Sequence, residues 1–127
     1  MSLVLDSGAA SALGRRDRQT AARIAALRQR GLWPPILPAV VLIDSLTGNR
    51  VRDALVNRTV ALSVVHPLEG SLARRAAQLR GRARAGSAVE ACVVATAELL
   101  GALVITGNPG ELARLSHHAD GVSLLPT

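Results

Sequence analysis

Short apolar runs alternate with helix-forming stretches along the whole chain, and this alternation limits the fold more than any other feature of the sequence. Leu3–Leu5 stops at Asp6-Ser7-Gly8 and reads as a buried strand entering a turn. Residues 33–38 read as an extended piece ending at Pro38, and residues 60–65 as a strand rich in β-branched side chains. Leu103–Thr106 reads as a buried strand and residues 122–125 as the last one. Between them the spacing predicts helices over 9–13, 19–30, 39–46, 51–57, 69–84, 87–100 and 109–116. Gly31 stands where a C-cap glycine belongs. Apolar strands joined by helical crossovers imply an α/β chain: a central parallel sheet of four to five short strands, with helices on both faces. Ligands bind such sheets at the carboxyl ends of the strands. Asp6 and Asn108 both fall there.

The material for the core is unusual. Trp33 is the one aromatic residue, so Ala, Val and Leu must do the filling, which favours helices packed closely on a buried sheet. A length of 127 residues suits one domain spanning 1–127. The single cysteine, Cys92, excludes an internal disulfide and a cysteine-based zinc cage. No apolar run reaches the roughly 18 residues of a membrane span, and the apolar part of the N-terminal stretch is too short for a signal peptide. The expectation is a soluble, cytoplasmic protein without a membrane partner. All 15 basic residues are Arg, against nine acids, for a net charge of +6. That balance suits polyanions, since Arg forks match phosphate oxygens, but it also fits an ordinary solvated surface.

The absence of lysine removes several uses of an aspartate after a first strand. A P-loop needs Lys after its glycines. Receiver domains and haloacid-dehalogenase-type phosphatases also set a Lys beside their acceptor Asp. The segment DSGAASALG lacks the G-x-G-x-x-G of a dinucleotide site, and Ser7 lacks a G-x-S-x-G elbow. A carboxylate-based metal site is what remains. Four acids sit in apolar surroundings: Asp6, Asp44, Glu90 and Glu111. Mg²⁺ and Mn²⁺ take hard oxygen ligands, and clustered carboxylates are tolerable chiefly beside a cation.

Each of these acids except Asp44 also has a structural reading. Asp6 can cap the helix that follows it. Ser87-Ala88-Val89-Glu90 is a capping box before an apolar run. Asn108-Pro109-Gly110-Glu111 is a good helix start, with Asn as N-cap and Pro at the first position. Asp44 interrupts an apolar helix, where Asp is a poor choice. Glu98 reads as solvated or ion-paired. Residues 74–84 carry a run of Arg that reads as a solvated face or an RNA-backbone contact. His117 and His118 have no metal-ligand spacing and suit a helix C-terminus.

In order and context, these segments resemble a PIN domain of the VapC type, the toxin of a type II toxin–antitoxin system. LVLDSGAASAL is similar to that family's opening strand, acid and small-residue helix. PAVVLIDSLTG resembles its second acidic segment, which usually carries Glu where this chain has Asp44. GSAVEACVVATAELLGALVIT resembles the third, which usually carries Asp where this chain has Glu90. TGNPGEL resembles the fourth, where many members have Asp in place of Asn108. The resemblance covers almost the whole chain. It implies a three-layer α/β/α PIN-like fold and a Mg²⁺- or Mn²⁺-dependent endoribonuclease cutting RNA. It further implies a small VapB-like antitoxin as partner, and a homodimer is compatible with the Ala/Leu-rich helices. The first reading is that Asp6 and Glu90 hold the cation, Asp44 ligates or positions water, and Asn108 completes the site with Glu111, one helical turn on, compensating for its missing charge. Because Asn108 brings no charge, a PIN domain that only binds RNA or protein is the alternative. A homodimer whose acids merely cap helices is the third.

Overall fold

The structure, a computed structural model, describes residues 1–127. Its elements are β1 (Leu3–Leu5), α1 (Ser7–Ala12), α2 (Arg18–Gln29), β2 (Ile36–Pro38), α3 (Ala39–Ser45), α4 (Ala54–Leu62), β3 (Val64–His66), α5 (Gly70–Ala83), α6 (Ala88–Leu100), β4 (Leu103–Thr106), α7 (Pro109–Ser116) and β5 (Ser123–Pro126). The five strands form one sheet in the order β3-β2-β1-β4-β5, and every pairing is parallel. This is the three-layer α/β arrangement expected from the alternation of runs and helices.

The sheet is buried at its centre and bare at its edges. All of Leu3–Leu5 and Leu103–Thr106 is buried, as a two-faced parallel sheet demands. Edge strand β3 leaves Val64 and Val65 exposed. Twenty-six buried apolar residues make a single core cluster, and none is aromatic. The most deeply buried helix is α6, with seven consecutive buried residues from Ala91 to Ala97. Ala at three of those seven positions lets it lie close to β1 and β4. Cys92 is buried in this helix, and desolvation pushes its thiol up from its ordinary value, which disfavours the thiolate. No helix is long and apolar enough to cross a membrane.

One boundary differs from expectation. A helix over 51–57 followed by a strand over 60–65 is replaced by α4 over Ala54–Leu62 and a strand that begins only at Val64. Val56, Thr59 and Val60 keep helical spacing toward α1, and the Thr59 hydroxyl donates to Ala10 O at 2.5 Å. Helix packing therefore claims the first half of the β-branched run. The Ser63 hydroxyl donates to Thr59 O at 2.6 Å where the helix stops.

Outside the sheet edge that carries Asp6, a polar tie holds α5, α6 and the segment after α7 together. Arg75 Nε and Nη2 donate to the two Glu98 oxygens at 2.7 and 2.8 Å, and Arg75 Nη2 also reaches His118 O at 3.2 Å. The Asp120 N–H donates to Glu98 Oε2 at 2.8 Å. The Arg75 hydrogen bonds hold the Glu98 carboxyl below its ordinary range.

Candidate active site

Strand order reverses between β1 and β4: from β1 the chain proceeds outward to β2 and β3, and from β4 to β5 in the other direction. Such a switch point opens a crevice at the carboxyl ends of the two strands. The register pairs Leu5 with Ile105, so Asp6, the first residue after β1, stands beside Thr106, the last residue of β4. The turns there are very close. A Cβ on Gly8 would meet Gly107 Cα at 2.9 Å, and one on Gly107 would meet Gly8 Cα at 3.1 Å. Only glycine at both positions lets the two loops touch.

Asp6 is buried at the floor of this crevice, with both oxygens hydrogen-bonded. Its Oδ1 accepts the Ala9 N–H at 2.9 Å, which caps α1. Its Oδ2 accepts the Thr106 hydroxyl at 2.5 Å, and the Gly107 N–H lies 3.2 and 3.1 Å from the two oxygens. The Thr106 hydroxyl oxygen in turn accepts the Asn108 N–H at 2.8 Å. Capping and site placement are thus one arrangement: the bonds that cap α1 also fix the carboxylate at the sheet edge.

Asp44 comes from the far end of α3, one residue before its last, and is exposed. The negative end of the helix dipole disfavours an acid there. Its Oδ2 accepts the Ser7 hydroxyl at 2.6 Å, which turns it toward Asp6. Glu90 sits in the first turn of α6, and the expected capping box is present. Glu90 Oε1 accepts the Ser87 N–H at 2.8 Å, and Ser87 Oγ accepts the Glu90 N–H at 3.0 Å. The other oxygen, Oε2, accepts from Asn108 Nδ2 at 2.9 Å. Asn108 therefore precedes α7 without capping it through its side chain, contrary to the expected N-cap role, because its amide is spent on Glu90.

Asp6, Ser7, Gly8, Asp44, Ser87, Glu90, Gly107 and Asn108 line one cleft of about 230 Å³. Four of the five anticipated residues are brought together. Glu111 lies one turn into α7 and does not line the cleft. Ser7, Thr106 and Gly107 were not anticipated as partners of the acids. Thr106 was legible only as a strand end, since its bond to Asp6 depends on which strands pair. No three of the His, Cys, Asp and Glu side chains are grouped to hold an ion together. The donor set is nevertheless all oxygen, as a hard cation requires, and Mg²⁺ commonly takes only one or two carboxylates and keeps waters for the rest. The residues fit such an ion if Asp44 or Glu90 releases an internal bond.

No family model and no curated protein matches this sequence. Solved structures do. The chain superposes over its whole length on a chain of VapBC2 from Rickettsia felis bound to a promoter DNA fragment, with TM-score 0.73 and 11% identity, covering 100% of this chain and 99% of that one. A chain of DNA-bound VapBC from Salmonella typhimurium gives TM-score 0.73 and 13% identity, with 99% and 98% covered. A chain of FitAB bound to an IR36 DNA fragment gives 0.70 and 18%, with 98% and 94% covered. At such identities the likeness is one of fold. This chain has the PIN-like α/β/α fold found in the VapBC and FitAB toxin–antitoxin complexes.

Proposed function

We propose that the chain is a Mg²⁺- or Mn²⁺-dependent endoribonuclease toxin that cuts RNA phosphodiester bonds and is neutralised by a VapB-like antitoxin. The observation that carries this reading is the meeting of Asp6, Asp44 and Glu90, from three separate segments, in one cleft at the β1/β4 switch point. Three acids lining one cleft in a chain with only nine is hard to explain by capping alone. Asp6 and Glu90 would hold the ion with Asn108 beside them. When bound, the ion supplies charge neutralisation at the phosphodiester and makes water more acidic. The protein supplies placement. Asp6 is held in place by three donors, the Ala9 and Gly107 N–H groups and the Thr106 hydroxyl, so its position is set before an ion arrives. Asp44, the exposed member, orients the attacking water and accepts its proton. The Asn108 amide keeps Glu90 directed into the cleft.

The partner reading draws on the fold: the similar chains come from VapBC and FitAB complexes. A homodimer is supported by a row of exposed apolar side chains beside the unpaired edge of β3, namely Leu62, Val64, Val65 and Leu68. Light scattering tests it, and a strictly monomeric protein at tens of micromolar refutes it. The second functional reading, a binding module without catalysis, is favoured by one observation: Asn108 is neutral and its amide is spent on Glu90, so the fourth position brings no charge to a cation.

Cleavage of several structured RNAs by wild type and Asp6→Asn separates the two. The nuclease reading expects cutting that needs Mg²⁺ or Mn²⁺ and is lost in the variant. Cutting by neither protein, with RNA still bound, establishes the binding module.

A further inference from the structure

Away from the carboxylate cleft, the largest groove of the molecule is basic. It measures about 390 Å³ and runs between α5 and α7, lined by Ala83, Ala113, Arg114, His117 and His118. Arg82 and Arg84 flank Ala83 and are exposed. Arg75 is the one Arg of fifteen held in an ion pair, so Arg82, Arg84 and Arg114 have no carboxylate partner. The two imidazoles meet edge to face at 5.2 Å, and neither ring is hydrogen-bonded to the protein. The acids nearby are few. Glu98 is neutralised by Arg75, Asp120 faces the same Arg75, and Glu111 lies one turn before Arg114 on α7.

We propose that this groove is a second phosphate-binding surface that holds the backbone of single-stranded RNA on its way to or from the cleft. Three observations favour a phosphate backbone over other polyanions. The cations are mostly Arg, whose fork matches phosphate oxygens. The groove has no aromatic ring other than the imidazoles, so it offers no large platform for stacking bases and reads the charged backbone. It is joined to the cleft by α7 itself: Asn108, which lines the cleft, stands nine residues before His117, roughly 14 Å along a helix. A strand lying along α7 would touch both. The choice of RNA as the polyanion rests on the nuclease reading given above, whereas the groove's affinity for phosphate does not.

The test is fluorescence anisotropy of an end-labelled single-stranded RNA of about twenty nucleotides, titrated with the intact protein in EDTA so that no cutting occurs. The variants are Arg82→Gln/Arg84→Gln, Arg114→Gln and His117→Gln/His118→Gln. The proposal expects Arg114→Gln to weaken binding about tenfold. It also expects a shallower fall of log affinity with log salt, by about 0.7 for each phosphate that the variant no longer neutralises. Cleavage of a trinucleotide, too short to reach the groove, should stay at the wild-type rate in Mn²⁺. Wild-type affinity and salt slope in all three variants overturn the proposal. So does a poly-glutamate chain that competes for the groove in wild type while RNA binding is unchanged in the variants, since the groove then takes an acidic protein segment. Failure of the nuclease reading appears separately, as RNA bound with the expected slope but never cut.

Discussion

Asp6 and Asp53 are nearly the same object in two places. Both are buried aspartates, 6% and 4% exposed. Both accept backbone N–H groups and a threonine hydroxyl: Asp6 from Ala9, Gly107 and Thr106, and Asp53 from Thr47 N at 2.9 and 3.1 Å, Thr47 Oγ1 at 2.9 Å and Gly48 N at 2.8 Å. Their surroundings differ. Asp6 lies at the switch point of the sheet with Asp44 and Glu90 in the same cleft. Asp53 closes the loop between α3 and α4, and no other acid comes near it through a hydrogen bond. Burial and a set of donors are therefore shared by both carboxylates and do not mark a site, and the company of other acids is what sets Asp6 apart.

Exchanging each for Asn should separate the two roles most strongly. Asp6→Asn removes a proposed ion ligand, so RNA cleavage should fall at least about a hundredfold. The Mn²⁺-induced rise in Tm should vanish with it. Asp53→Asn should leave cleavage within about twofold while lowering Tm by several degrees, because the α3–α4 loop loses its charged acceptor. If instead both variants lose activity and stability in parallel, the distinction drawn from the neighbouring acids fails.

Acid offers a second way to divide them. The Thr47 backbone N–H, with the Thr47 hydroxyl and the Gly48 and Asn49 N–H groups, holds the Asp53 carboxyl below its ordinary range. Glu98 is lowered by Arg75, and Asp17 by the Thr20 N–H that it caps. A group whose folded value is depressed stabilises the fold above its unfolded value, about 3.9 for Asp, and loses that contribution as pH falls through the folded value. Stability should therefore decline below about pH 4, and Asp53→Asn should flatten the decline. Urea unfolding followed from pH 6 to pH 2.5 reads this out. An unchanged slope in the variant would show that the loop bonds matter less than their geometry suggests.

A change in the opposite sense sharpens the contrast from the side of the cleft. Asn108→Asp would replace an amide donor 2.9 Å from Glu90 Oε2 with a second carboxylate. Without metal the two charges repel, so Tm in EDTA should drop. With Mn²⁺ the added charge should tighten binding about tenfold and increase the Mn²⁺-dependent rise in Tm. A Tm that stays depressed at millimolar Mn²⁺ would mean that the cleft is no better a cation site than the Asp53 loop.

What the sequence revealed follows the range of each interaction. The Ser87–Glu90 box was legible because its partners are three residues apart, and the strand-to-turn step at Leu5-Asp6 because both halves are adjacent. The Ser7–Asp44 and Thr106–Asp6 bonds span 37 and 100 residues, and only strand pairing and helix docking create them. Asp53 went unnoticed because its donors precede it in a loop, while Asp-Ala-Leu-Val reads as the interior of a helix. The 60–65 run misled for a related reason. Its β-branched residues satisfy a strand pattern locally, and the packing of Val56 and Thr59 against α1 overrides it.

The smallest expected effect concerns Glu111, expected from the sequence to compensate for Asn108 and found not to line the cleft. In the first turn of α7 its charge faces the positive end of the helix dipole, an effect of about 0.5 kcal/mol at a solvent-accessible position. Glu111→Gln should therefore cost roughly that much stability and leave cleavage within about twofold. Glu111 would then join Asp53 among the acids that serve the fold. The contrary result is equally definite. If Glu111→Gln slows cleavage tenfold and raises the Mn²⁺ concentration needed for half-maximal rate, the site extends one turn along α7. The carboxylate would then reach inward when an ion is present, supplying the charge that Asn108 lacks. Measuring the rate across Mn²⁺ concentrations for Glu111→Gln alone and combined with Asn108→Asp decides between them. An acid that compensates for Asn108 loses its importance once Asp stands there, whereas one that serves only the helix shows the same small effect in both backgrounds.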